Sequence, residues 1–147
     1  MANELVKVKG TPATLITLGS SLANGAVSGT PASPYSIATT GGGFPFVEFV
    51  LSGTFGAAPT VGKSVALLLR PMNINGTLDA PVPSTTYLQK FMGTFTVSAD
   101  TTQSLLMSVE RPLPDEFEAY LYNVDTGQAL NSGATLIATP YTYNPAV

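Results

Sequence analysis

Two stretches decide the fold: Phe46-Val-Glu-Phe-Val-Leu-Ser52 and Ser64-Val-Ala-Leu-Leu-Leu-Arg70. Both are short and apolar with Gly or Pro at or near each end, and the first is rich in β-branched and aromatic residues, which is how a strand and its turns are written. In the first, Val47, Phe49 and Leu51 share one face, and Glu48 on the other marks that side as the wetter one. In the second, Val65, Leu67 and Leu69 alternate, and the whole run is apolar enough to lie centrally in a sheet.

The same reading extends outward along the chain. Tyr87 to Val97 places Phe91, Phe95 and Val97 in one phase, with Gly93 in that phase predicting a bend or a close backbone approach. Leu105, Met107 and Val109 alternate next. Phe117, Ala119 and Leu121 follow, with Glu118, Tyr120 and Tyr122 on the opposite face, and Thr135 to Tyr141 closes the set. Shorter candidates lie at Ala13 to Leu18 and Tyr35 to Ala38. No stretch carries the 3.6-residue period of an amphipathic helix. Six to eight strands in 147 residues predict an all-β fold, a single-domain antiparallel β-sandwich; strand order is not legible, and a jelly-roll topology is preferred over an immunoglobulin-like one. Asn75-Gly76 and Asp125-Thr-Gly127 supply residues that tolerate positive φ, the latter as a hairpin turn, and Pro112 and Pro114 end a strand and begin a turn.

The domain is expected to span 12–147, preceded by an extended arm over 1–11. Met1 to Thr11 carries all the charge of the first forty residues, and Leu5, Val6 and Val8 give it apolar surface to bury. Its Lys7 and Lys9 could meet an acidic partner. The Arg70–Thr86 segment, rich in Pro, Asn and Gly, is a long loop of the kind that often carries function, and Met72, Ile74 and Leu78 are its candidate contacts.

Composition narrows the function. Charged residues are only 10% of the chain, against roughly 25% in soluble domains generally. A surface so poor in charge is covered by Ser, Thr, Asn and apolar side chains, which suits the inside of an assembly. There is no Cys and no His, so thiolate chemistry and the usual general base near neutral pH are excluded. Ser20, Ser21 and the other serines therefore have no imidazole to activate them. With a net charge of −3 and six scattered cations, no nucleic-acid partner is expected. The runs of apolar residues are too short for a membrane helix, and MANELVKVKG lacks the apolar core of a signal peptide, so synthesis in the cytoplasm and no membrane partner are expected.

Asp115, Glu116 and Glu118, with Glu110 and Arg111 nearby, are the only carboxylates clustered enough to suggest glycoside hydrolysis. Their place in a Pro-containing turn and on an apparent solvent face reads as a solvated acidic turn instead. No catalytic, cofactor-binding or metal-binding residue is expected, and the chain is not expected to be an enzyme. Tyr120, Tyr122, Tyr141 and Tyr143 fall at strand spacing and would form one aromatic face if their two strands pair. Such a face serves an interface or, as in sugar-binding sandwiches, a glycan.

The last third carries a further pattern. Pro112-Leu113-Pro114 is followed by Phe117 and alternating residues to Asn123, then Thr126-Gly127, Leu130, Gly133, Leu136 and Pro140-Tyr141. Phe55, Ala58-Pro59 and Gly62 lead into the Val65 strand in keeping with it. Over roughly Phe46 to Tyr143 the chain resembles small virion structural proteins of tailed bacteriophages, specifically capsid decoration, or cement, proteins of the jelly-roll type. The resemblance implies a protein made in the host cytoplasm and carried on the capsid surface of the virion. It implies a homotrimer at threefold or quasi-threefold positions that bridges major-capsid-protein subunits against internal DNA pressure. The alternatives are a tail or baseplate component with the same fold, or a carbohydrate-binding host-attachment module. The shared residues are mostly turn and core positions, so the resemblance assigns no binding residue.

Overall fold

A computed structural model describes residues 5–29, 31, 33–88, 91–111 and 113–145. Among them there are nine strands and no helix. The strands are β1 (Leu5–Lys9), β2 (Ala13–Thr17), β3 (Tyr35–Ser36), β4 (Phe46–Thr54), β5 (Ser64–Pro71), β6 (Phe91–Thr96), β7 (Thr102–Val109), β8 (Glu116–Asn123) and β9 (Thr135–Pro145). The ninth, beyond the eight legible in the sequence, is β1.

One sheet runs β1-β9-β4-β7, with β2 also paired to β9, and the other runs β3-β8-β5-β6. Every pairing is antiparallel, and four of them nest: β2 with β9, β3 with β8, β4 with β7, β5 with β6. The chain is thus one long ribbon, folded back between β5 and β6 and rolled so that alternate strands fall in opposite sheets. This is the jelly roll. The connection through Asp125-Thr-Gly127 follows from it. Rather than closing a hairpin, it carries the chain from β8 in one sheet to β9 in the other. Gly127, Asn75 and Gly76 all take the positive φ expected of them.

The core fills from the alternation read in the sequence. Val47, Phe49 and Leu51 of β4 and Leu136 and Ala138 of β9 meet Val65, Leu67 and Leu69 of β5 and Phe117, Ala119 and Leu121 of β8, all buried. Burying such side chains is worth about 1.5–3 kcal/mol each, which is what holds the two sheets together. Tyr35 of β3 packs on Phe117 with ring centroids 5.2 Å apart.

β6 departs from its expected phase. A register shift opposite Leu67 and Leu68 inserts one extra residue, so Met92 turns into the core while Phe91 points out to solvent. Gly93 makes the expected close approach: a Cβ there would stand 3.0 Å from Met107 Sδ.

β1 and β2 run one after the other along β9, β1 against Tyr141–Pro145 and β2 against Thr135–Ala138. The 11/12 boundary expected from the sequence falls in the joint between them, and Met1–Glu4 of the expected arm lie outside the described residues. At the joint, Gly10 N–H donates to Pro140 O (2.8 Å), and a Cβ on Gly10 would meet the Phe44 ring at 2.8 Å. Because β4 begins its pairing opposite Tyr141, the ribbon of β1 and the end of β9 extends past its neighbour strand. Val6 and Val8, on the core-side face of that ribbon, stay exposed.

Candidate interaction surfaces

The outward faces of the two sheets differ from their sequence reading. Glu48 is expected on a wet face, yet it is only 5% exposed. β1 lies across β9 from β4 and lays Lys7 and Lys9 over it. Both ammonium groups pair with the Glu48 carboxylate, Lys9 at 2.7 Å. Burial pushes the carboxyl up, but the hydrogen bonds and charges of Lys7 and Lys9 outweigh it and hold Glu48 below the usual carboxylate value. The two lysines expected to meet an acidic partner thus meet an acid of their own chain.

Glu118 shows the same inversion on the second sheet. Expected in solvent, it is 7% exposed and paired with Arg70 Nη1 at 2.8 Å. The Tyr120 hydroxyl donates to the same carboxylate at 2.8 Å. Ala66, Leu68 and Tyr120 on this outward face are buried as well, although they point away from the core. The segment after β5 is pinned beside them, since Arg70 Nε donates to Ala80 O (2.5 Å) and Ala80 N–H donates to Pro71 O (3.0 Å). Ala80 and Pro83 of the segment are buried in turn. The long loop is thus fastened to the Arg70 end of this sheet.

The four tyrosines do not form one face. β8 and β9 belong to different sheets, so Tyr120 and Tyr122 stand on one and Tyr141 and Tyr143 on the other. Tyr120 and Tyr141 are fully buried, which removes the flat platform a sugar ring would stack on. Tyr141 instead sits among Phe46, Tyr143 and the Lys7 ammonium, 3.7 Å from its ring centroid. Tyr143 donates to Glu110 at 2.7 Å.

The acidic cluster is likewise dispersed. Glu116 accepts from Asn73 Nδ2, Glu118 serves Arg70, and Glu110 serves the tyrosines on the other sheet. Lys63 pairs with Asp125 at 2.9 Å, and Arg111 donates to Met92 O at 3.0 Å. A hollow of about 460 Å³ beneath Ile16–Leu22 and Ala23–Gly29 is lined by apolar and hydroxyl side chains without a charge.

Large apolar side chains are exposed in several places. Ile74 and Leu78, both named from the sequence, face each other across a tight turn, with Ile74 N–H and Leu78 N–H donating to each other's carbonyls. Asn75 and Gly76, at positive φ, form its tip. Opposed residues project to the same side, so the two side chains stand as an exposed pair, at 47% and 63%. Val82, Tyr87, Leu88 and Phe91 are exposed farther along the same stretch, while Met72 is half-buried at its root. Leu5, Val6 and Val8 form a second exposed set on the β1 ribbon. Leu106, at the middle of β7, is a third place that sequence reasoning passed over; its signal was the apolar residue left on the polar side of the Leu105-Met107-Val109 alternation.

Compared with known proteins, the sequence matches no family model and no curated protein.

Proposed function

We propose that the chain is a non-catalytic virion protein that decorates the outer surface of a phage head and bridges major-capsid-protein subunits. The observation that carries the reading is how its side chains are used. Four of the five cations described are paired with carboxylates of the chain itself, and the large apolar side chains left exposed fall mostly in two stretches. A protein built this way gains free energy by covering the Ile74–Leu78 turn and the β1 ribbon. Repeated over a lattice, modest contacts of this kind stabilise a shell without any single tight one. The jelly roll and the Pro112–Tyr141 pattern agree with the resemblance to decoration proteins.

Fractionating the particles that contain the chain into heads and tails, with quantitative mass spectrometry of each, tests this directly. The expected result is recovery in heads in hundreds of copies. Recovery in tails makes it a tail or baseplate component, and saturable binding to a glycan panel makes it an attachment module. The double variant Ile74→Ser/Leu78→Ser, which alters only exposed side chains, is expected to lower occupancy on undecorated heads at least tenfold while leaving the unfolding midpoint unchanged. Unchanged occupancy would place the contact elsewhere on the molecule.

A further inference from the structure

Sheet edges offer unpaired backbone groups to any other strand, and natural proteins blunt them with charge, proline, bulges or brevity. Among the described residues, four of the five edge strands are blunted. β1 carries Lys7 and Lys9, β2 has a register shift between Thr14 and Ile16, β3 is two residues long, and β6 has its bulge and Gly93. β7 has none of these. Its eight residues, TQSLLMSV, contain no charge, proline or glycine, and they pair with β4 without a shift from Thr102 to Val109.

Its free edge has a defined register. Phe55 N–H donates to Thr101 O at 2.7 Å, so the odd-numbered residues of β7 bond to β4. Thr102, Ser104, Leu106 and Ser108 therefore turn their N–H and C=O groups to the open side. The same four place their side chains on the outward face, where all are exposed. Across that face the apolar residues form a row: Ile137 lies beside Val50, and Val50 beside Leu106. The row runs into the edge and stops there with Leu106 64% exposed, while the next row is polar, Ser52 and Ser104 hydroxyls 2.9 Å apart.

We propose that β7 pairs antiparallel with β7 of a second copy about a two-fold axis through Leu106. In that register Leu106 opposes Leu106, Ser104 opposes Ser108, and Leu105 opposes Met107, so apolar meets apolar and hydroxyl meets hydroxyl on each face. The edge-directed groups of residues 104, 106 and 108 all find partners. The two sheets become one of ten strands, and the apolar row continues unbroken from Ile137 of one copy to Ile137 of the other. A self-complementary patch of this kind is what an isologous dimer requires. It is separate from the threefold contact implied by the resemblance, and it does not depend on the decoration role.

The chain has no cysteine, so single-cysteine variants report the contact cleanly. Opposed residues of a hydrogen-bonded pair have Cα atoms about 5.5 Å apart, within reach of a disulfide or a short bis-maleimide. The purified full chain with Leu106→Cys is expected to cross-link to a dimer at least tenfold faster than the chain with Val61→Cys, an equally exposed position far from β7 in the sequence. Ser104→Cys and Ser108→Cys should link to each other when mixed, and poorly alone. Light scattering should give twice the chain mass for the unmodified protein and the single mass for Leu106→Lys, with circular dichroism unchanged. Equal cross-linking at residues 61 and 106, a monomer at all concentrations, or a dimer or trimer indifferent to Leu106→Lys would each overturn the proposal. Because no heads are used, failure here leaves the decoration role standing.

Discussion

Each sheet keeps a carboxylate nearly out of water on its outward face, and the two do it differently. Glu48 is covered by two lysine side chains reaching from β1, and those stems and ammonium groups are themselves partly in solvent. Glu118 is covered by Arg70 and Tyr120 beside a pinned loop, and Arg70 is itself largely enclosed. The lesson concerns what fixes a face as wet. Alternation places a residue on a side of the sheet, but what crosses that side decides its environment. A pair screened by water is worth little, whereas breaking an enclosed one strands a charge.

The largest effect is therefore expected at Arg70. Arg70→Ala leaves Glu118 without its cation and releases Ala80 O and Asp79 from the guanidinium, and should cost about 3 kcal/mol in urea unfolding. It should also open the 72–88 segment to proteolysis before global unfolding. Replacing both partners, as Arg70→Met with Glu118→Leu, should recover most of the loss, because no charge is then left buried. If Arg70→Ala costs no more than a surface pair, the enclosed character of this site is wrong.

On the other sheet the double variant Lys7→Met/Lys9→Met is expected to cost about 2 kcal/mol at neutral pH, the smaller value reflecting solvent around the lysines. Its pH dependence separates the two sites. Glu48 has a depressed pKa in the folded state, so its pairing contributes fully above the ordinary carboxylate value of 4.5 and is lost as pH falls through the folded value. The unmodified protein should lose stability over that acid range, and the double variant should show a flatter curve. Gly10→Ala attacks the same cover from the backbone. A methyl there meets Phe44 and Pro140 within 3 Å, shifting the joint that aims β1, and roughly 1–2 kcal/mol is expected from strain.

How legible these features are in the sequence follows from how far apart their parts lie. Strands β4, β5, β8 and the first half of β9 can be read from alternation because each is local, as is the Ile74–Leu78 turn with its Asn-Gly tip. The burial of Glu48 and Glu118 depends on partners 41 and 48 residues away, and no local period reports those. β1 escaped as a strand because its partner is the far end of the chain, and a short charged terminus is ordinarily free. The bulge that turns Phe91 out and Met92 in follows from pairing with β5. Leu106 gains its meaning only from strand order, since the same residue in an inner strand would be one more half-covered side chain.

The finest comparison lies within one sheet, between Tyr141 and Tyr143, which share Glu110 as acceptor at 3.3 and 2.7 Å. Both hydroxyls are held above the ordinary value of 10, for different reasons. Burial is the first cause for Tyr141 and the Glu110 charge the next, whereas for exposed Tyr143 the hydrogen bond to Glu110 comes first. A phenol raised in the folded state favours its neutral form, so this contribution is complete below pH 10 and lost as pH rises through the folded values. Glu110→Gln removes the charge and leaves the burial. Followed by NMR, Tyr143 should then ionise close to its ordinary value, while Tyr141 should remain well above it. A parallel drop in both would mean that Glu110, and not the burial of Tyr141, governs this end of the sheet.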